Sequence, residues 1–118
     1  MNYAKICSII LGLEPQIRGV FAYHFNGELL GGGMRTGLES YLPPEEITKS
    51  TINTMLEWKS KELHYPFLGF GRYSFTEYEK IKRISFPLNE SVLLIVSTAV
   101  EVDHDIIIKK ILQLIENK

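Results

Sequence analysis

The densest group of polar side chains in the sequence is Asp103-His104-Asp105, whose carboxylates and imidazole are common metal ligands. The trio matches no ligand spacing of a known metal motif, and His24 and His64 lie far away in the sequence. Asp103 instead suits the N-cap of a final helix, and Asp105 suits the positive end of that helix dipole. The sequence therefore predicts capping and no metal site.

Cys7 is the single cysteine, so an intramolecular disulfide is excluded. A cysteine nucleophile needs an activating histidine or cation beside it. Cys7 lies within the apolar stripe of a predicted helix and has no cationic neighbour in the adjacent turns. We therefore expect a small, buried and inert side chain.

Three consecutive glycines, Gly31-Gly32-Gly33, raise the question of a phosphate-binding loop. Gly32 and Gly37 have P-loop spacing, but Leu38-Glu39 follow where a lysine and a hydroxyl residue are needed. Thr36 stands where a dinucleotide fingerprint has its third glycine. We therefore predict no cofactor and expect the triplet to mark a sheet edge, a bulge or a close approach of another backbone.

A basic cluster of Lys80, Lys82 and Arg83 is a candidate site for an acidic partner or a phosphate. Glu77 and Glu79 lie beside it, which favours a solvated face of balanced charge. The formal net charge of the chain is -1, which argues against nucleic-acid binding. No Ser-His-Asp or paired-carboxylate pattern is present, so we predict no enzymatic activity.

The 118 residues predict one domain, residues 1–118, with a core large enough to fold without disulfides. The hydrophobic fraction of 45% and the charged fraction of 23% are typical of a soluble protein. The N-terminus lacks the basic region and cleavage site of a secretory signal, so a cytoplasmic location is expected. No apolar run reaches the roughly 20 residues that span a bilayer, so no membrane insertion is expected.

The strand predicted at residues 91–100 organises the rest of the chain. Val92, Leu94 and Val96 point to one side of it, and Leu93 and Ile95 point to the other. Because both sides are apolar, this strand belongs in the middle of a sheet that is covered on both faces.

The remaining elements follow from periodicity, turn residues and prolines. The predicted order is a helix at 2–13, strands at 17–25 and 28–34 joined by Asn26-Gly27, a helix from Pro43 to about Leu63, strands at 69–78 and 80–88, the central strand, and a helix to about Glu116.

The middle helix carries two apolar clusters that together cover roughly 200° of its surface, more than packing on one side requires. One cluster is Ile52, Leu56 and Leu63, and the other is Ile47, Thr51, Met55 and Trp58. The helix is therefore expected to pack on its own sheet and on a partner subunit. The alternative, a deeply buried helix with Trp58 in the core, remains open.

This order resembles the roadblock family of small dynein-associated and GTPase-regulatory proteins. The resemblance covers nearly the whole chain. It is carried by the amphipathic first helix, the hairpin IRGVFAYHFNGELLGGGM, the long middle helix, and KIKRISFPLNESVLLIVSTAV followed by DHDIIIKKILQLI. The run YEKIKRISFPL is similar to that of small archaeal members. The loop at 35–42 and the segment at 69–79 depart from the pattern of the family.

The resemblance implies an α+β fold with a five-stranded antiparallel sheet in the order 2-1-5-4-3 and helices on both faces. It also implies a non-catalytic homodimer that serves as an adaptor for a small GTPase or another protein. The implied interface joins middle helices and third strands through Ile52, Met55, Trp58, Tyr73 and Phe75. If Trp58 anchors the dimer, we expect Ile52, Leu56 and Leu63 to hold the helix on its sheet.

A second function is compatible with the same strand order. A small-ligand sensor of the PAS or profilin-like type would need a pocket between helix and sheet. Candidate lining residues are Tyr23, Phe25 and Trp58.

Overall fold

A computed structural model describes residues 1–116 of the chain. In chain order its elements are α1 (Tyr3–Leu11), β1 (Ile17–His24), β2 (Leu29–Met34), α2 (Pro44–Lys61), a 3₁₀ turn (Glu62–His64), α3 (Tyr65–Leu68), β3 (Ser74–Glu77), β4 (Ile81–Pro87), β5 (Val92–Ala99) and α4 (His104–Glu116).

The five strands form one antiparallel sheet in the order β2-β1-β5-β4-β3, which confirms the predicted fold class and topology. β5 lies at the centre of the sheet, as the apolar side chains on both of its sides predict. Val92, Leu94 and Val96 join a core cluster on one face, and Leu93 and Ile95 join a second cluster on the other.

Different helices cover the two faces of the sheet. Cys7 and Ile10 of α1 and Ile107, Ile108 and Ile111 of α4 pack in the first cluster. α2 covers the opposite face, where Met55 and Trp58 pack in the second cluster. We call these the α1/α4 face and the α2 face.

The three glycines lie at a sheet edge, beside a bulge and at a close approach of another backbone, which are the three roles expected of them. They lie on the edge strand β2, at a register shift that places Ala22 opposite Gly31 and Tyr23 opposite Leu29. A Cβ atom on Gly31 would lie 2.7 Å from the backbone nitrogen of Ala4, so only glycine lets α1 approach this closely.

The third strand is shorter than the predicted 69–78, and Tyr73 precedes it instead of lying within it. The chain first makes α3 and then passes beneath α2. A Cβ atom on Gly71 would lie 2.5 Å from Cζ3 of Trp58, so Gly71 lets the backbone cross the tryptophan ring. Because of this crossing and the positive φ of 85° at Gly69, residues 69–73 do not join the sheet.

None of the helices in residues 1–116 has both the length and the apolar content needed to cross a membrane.

Candidate interaction surface

α2 packs on the sheet through Thr51, Met55 and Trp58, all of which are buried. The Trp58 ring is 2% exposed, and its Nε1–H donates to the Ser85 hydroxyl on β4 at 2.8 Å. The Thr51 hydroxyl donates to the Ile47 carbonyl at 2.9 Å, so this polar side chain is also satisfied. Met55 and Trp58, both members of the predicted interface, are therefore covered by the protomer's own sheet.

The expectation that Ile52, Leu56 and Leu63 hold α2 on the sheet is wrong, because all three are exposed. Successive residues of a helix are about 100° apart, so burying Met55 turns Leu56 toward the side. The indole also needs a hydrogen-bond partner when it is buried, and Ser85 provides one on the sheet.

The exposed cluster continues past the end of α2 into α3 and the residues after it. We call this surface the outer stripe: Ile52, Leu56, Leu63, Phe67, Leu68 and Phe70, with exposures between 48% and 86%. Single exposed apolar residues are normal on a monomer, but six large ones within residues 52–70 are typical of an interaction site.

The two flanks of α2 differ in polarity. Ile52 and Leu56 line an open groove of about 410 Å³ on the side of the β1–β2 hairpin. On the other side, Asn53, Thr54 and Glu57 line a groove of about 660 Å³ together with residues of β3 and β4. The flank beside the third strand therefore carries the larger number of polar side chains.

Tyr73 and Phe75, the predicted interface residues near β3, have different environments. Tyr73 is 44% exposed, and its ring centroid lies 6.3 Å from that of Phe86. Phe75 is half-buried and stacks on the His104 ring with the centroids 4.2 Å apart. Tyr73 is therefore accessible to a partner, whereas Phe75 packs within its own protomer, against His104 and the core of the α1/α4 face.

The basic cluster is not the solvated face that we expected. Lys82 is only 6% exposed, because it shares the buried side of β4 with Ile84. Its ammonium donates to the Val102 carbonyl at 2.6 Å and lies 3.1 Å from Nδ1 of His104. Lys80 is exposed and lies over the ring of Tyr41, 5.4 Å from the centroid.

The predicted burial of Cys7 is confirmed: its side chain is 2% exposed, and burial raises the pKa of its thiol to about 11. Asp103 caps α4 as predicted, since its carboxylate accepts from the backbone N–H groups of Asp105 at 3.1 Å and Ile106 at 3.4 Å. Residues 1–116 bring no three His, Cys, Asp or Glu side chains together in a metal-binding geometry.

The residues proposed for a ligand pocket do not meet in one cavity. Tyr23 and Phe25 line the 410 Å³ groove beside α2, whereas Trp58 fills the core and does not line it. Lys59 covers Phe25 instead, with its ammonium 4.6 Å from the ring centroid.

Arg18 was not among the predicted site residues. Arg18 faces the α2 side of the sheet and lies over the ring of Tyr41, 4.6 Å from the centroid. Arg18 is an isolated arginine that belongs to no recognisable motif. It lies in one cavity with Arg83 because of the sheet register, which the sequence does not show.

No protein-family model and no curated protein matches the chain in sequence. Solved structures do match it in fold. A Roadblock/LC7 domain from Streptomyces avermitilis has a TM-score of 0.71 and 11% identity, covering 99% of this chain and 94% of that one. The gliding protein MglB from Thermus thermophilus has a TM-score of 0.71 and 10% identity, covering 96% and 84%. MglB from Myxococcus xanthus has a TM-score of 0.66 and 16% identity, covering 93% and 81%.

These similarities show that the chain has the fold of Roadblock/LC7 domains, in agreement with the resemblance seen in the sequence. The similarity to archaeal members stays a prediction.

Proposed function

We propose that the protein is a homodimeric adaptor, without catalytic activity of its own, whose protomers associate through the outer stripe. The observation that carries this proposal is the exposure of six large apolar side chains between Ile52 and Phe70. Covering such an apolar surface removes it from water and thereby lowers the free energy of the system.

The size of the outer stripe supports a stable interface. Phe67 is 84% exposed and Phe70 is 86% exposed. Since aromatic side chains bury about 150–250 Å² each, these two alone offer roughly 250–400 Å². A standard interface needs about 800 Å² per partner. The four aliphatic members of the stripe and a polar rim supply an area of that order.

The proposed interface revises the predicted residue set. Ile52 remains in it, and Met55 and Trp58 are assigned to the core. Tyr73 and the free edge of β3 form a second part, because an edge strand offers unpaired backbone groups to another chain. The stacking of Phe75 on His104 keeps Phe75 inside the protomer.

The proposed partner of the dimer is a small GTPase or another protein. A dimer of this fold would present two copies of each surface outside the outer stripe to a partner such as a small GTPase. Two supporting points are the family resemblance of the sequence and the similarity to MglB, for which a tetrameric arrangement is described. The buried thiol of Cys7 and the structural roles of Asp103 and Lys82 support the absence of catalysis.

Sedimentation velocity over a concentration series tests the interface. We expect the wild type to be a dimer at tens of micromolar and Leu56→Glu to be a folded monomer, because a charge would be buried at the interface. Ile106→Glu is the matched control: Ile106 is 51% exposed on α4, outside the outer stripe. A monomeric wild type, or a Leu56→Glu variant that dimerises as strongly as Ile106→Glu, would refute the interface.

A further inference from the structure

A small cavity on the α2 face is lined by two arginines from different strands. Its volume is about 140 Å³. Arg18 and Arg83 line it together with Ser97, and Tyr41 and Leu42 close it from the loop before α2. The outer stripe contributes no residue to it.

Sheet register brings the two arginines to opposite sides of one serine. Gly19 on β1 pairs with Ser97 on β5, and the register shift between Ile17 and Gly19 places Arg18 beside this pair. Arg83 on β4 pairs with Ser97 from the other side. Neighbouring strands lie about 4.8 Å apart, so the two backbones are about 10 Å apart and long side chains can converge above Ser97.

The cavity has cationic groups and no counter-charge of its own. No aspartate or glutamate lines it, and neither arginine forms an ion pair within residues 1–116. Arg18 donates to the Glu39 carbonyl at 2.9 Å, and Arg83 donates to the Ser50 hydroxyl. Each guanidinium has five N–H donors, so most of them remain available.

Glu46, Glu57 and Glu79 line the adjoining groove with Arg83, but within residues 1–116 none of them is paired with it. Half-buried guanidinium groups without a paired carboxylate favour an anion that supplies the missing charge. Planar guanidinium groups bind oxyanions through paired N–H donors, and the hydroxyls of Ser50 and Ser97 add two further polar contacts. One water needs only about 10–15 Å³ of cavity volume, so a cavity of about 140 Å³ has room for a phosphate.

We propose that this cavity binds a phosphoryl oxyanion between Arg18 and Arg83, over Ser97. The cavity shares Tyr41, Ser50 and Arg83 with the 660 Å³ groove beside β3 and β4. The oxyanion can therefore be inorganic phosphate or the phosphate group of a small organic ester that extends into the groove. This ligand site does not depend on the proposed dimer.

Isothermal titration calorimetry at constant ionic strength, with inorganic phosphate at low millimolar concentration, tests the proposal. Low concentrations matter because phosphate at high concentration stabilises proteins without binding a site. We expect saturable binding to the wild type. Arg18→Gln and Arg83→Gln should each weaken it at least tenfold, because hydrogen bonds between charged groups are lost. Lys110→Gln, an exposed change of equal charge on α4, should leave it unchanged.

Glycerol phosphate in the same titration distinguishes the two sources. Tighter binding than inorganic phosphate assigns the site to an organic ester, and weaker binding assigns it to the free ion. Heat that never saturates, or equal binding by the arginine variants and Lys110→Gln, would overturn the proposal.

A second measurement covers the case in which an arginine variant fails to fold. In the wild type, NMR signals of the arginine Nε–H groups should shift on phosphate addition for Arg18 and Arg83 and stay constant for Arg72, which is paired with Glu116. Equal shifts for all three arginines would mean general ion screening and would overturn the site.

Discussion

The two faces of the sheet are closed to different degrees. Two helices, α1 and α4, cover one face, and their buried side chains form a continuous cluster with β1, β4 and β5. A single helix covers the other, where the buried apolar cluster within residues 1–116 consists of Met55, Trp58, Leu93 and Ile95. Five strands span about 19 Å between the outer axes, whereas a helix with its side chains is about 10–12 Å wide. One helix therefore leaves an open groove on each side.

The α1/α4 face therefore contributes most to stability, and the α2 face offers the surfaces for recognition. The α1/α4 face contains the larger core, and its buried ammonium, that of Lys82, has a carbonyl acceptor and an imidazole beside it. The α2 face carries the outer stripe and the two arginines of the cavity. Surfaces that a fold leaves incompletely covered are the ones available to partners and ligands.

The largest effect should come from Trp58→Ala, which removes most of the small core under α2. We expect a loss of about 3–5 kcal/mol of unfolding free energy, as for other buried aromatic residues. Chemical denaturation measures this loss. Hydrogen exchange should show faster exchange in α2 than in α4, because Ile107 and Ile111 keep their contacts on the other face.

The opposite result would have a clear structural meaning. Unchanged stability with weakened association would place Trp58 at the subunit interface and α2 in a rotated position. The proposed roles of Leu56 and Trp58 would then be exchanged.

The next effect compares identical substitutions at a buried and an exposed leucine. Leu94→Ala on β5 should cost about 2–5 kcal/mol, because Leu94 is fully buried on the α1/α4 face. Leu56→Ala should change the stability of the protomer by less than about 0.5 kcal/mol, because Leu56 is 62% exposed. Denaturation at sub-micromolar concentration, where a dimer contributes least, measures both. Equal losses would show that α2 buries Leu56 after all.

The sequence predicted the sheet well because strand periodicity carries the needed information. The unbroken apolar run at 92–96 identifies a strand with two covered faces, and Asn26-Gly27 identifies the hairpin that pairs β1 with β2. Gly31 marks the close approach of α1. These signals are local, so they do not depend on how distant segments pack.

The sequence did not predict how α2 is oriented, because two apolar clusters on one helix are equivalent until the opposing surface is known. Ser85 accepts from Trp58 across the sheet, and no local pattern reveals that contact. Lys82 lies two residues from Ile84, so the strand period places it inside, although lysines are usually solvated. The Arg18–Arg83 cavity depends on a register shift that the sequence does not show.

A smaller effect should follow from removing the one lysine ammonium that is buried on the α1/α4 face within residues 1–116. Lys82→Met keeps the apolar stem but leaves the Val102 carbonyl without this donor, so we expect a loss of about 1–3 kcal/mol. Lys80→Met, at an exposed position two residues away, should change stability by less than about 0.5 kcal/mol. Thermal denaturation at pH 7 compares the two. Equal or higher stability of Lys82→Met would mean that desolvating the ammonium costs more than its hydrogen bonds return.

The last effect concerns Cys7, on the α1/α4 face, and is absent at neutral pH. Burial raises the pKa of its thiol from 9.0 to about 11, so the folded state favours the neutral thiol. The resulting stabilisation is complete below pH 9 and is lost as the pH rises toward 11, where the folded protein also ionises. We therefore expect the stability of the wild type to fall relative to that of Cys7→Ala across this range, with a constant difference between pH 6 and 8. The comparison removes the contributions of all groups that the two proteins share. A constant difference up to pH 11, together with rapid thiol labelling of the native protein at pH 7, would show that α1 does not close this face and that the contrast between the two faces is overstated.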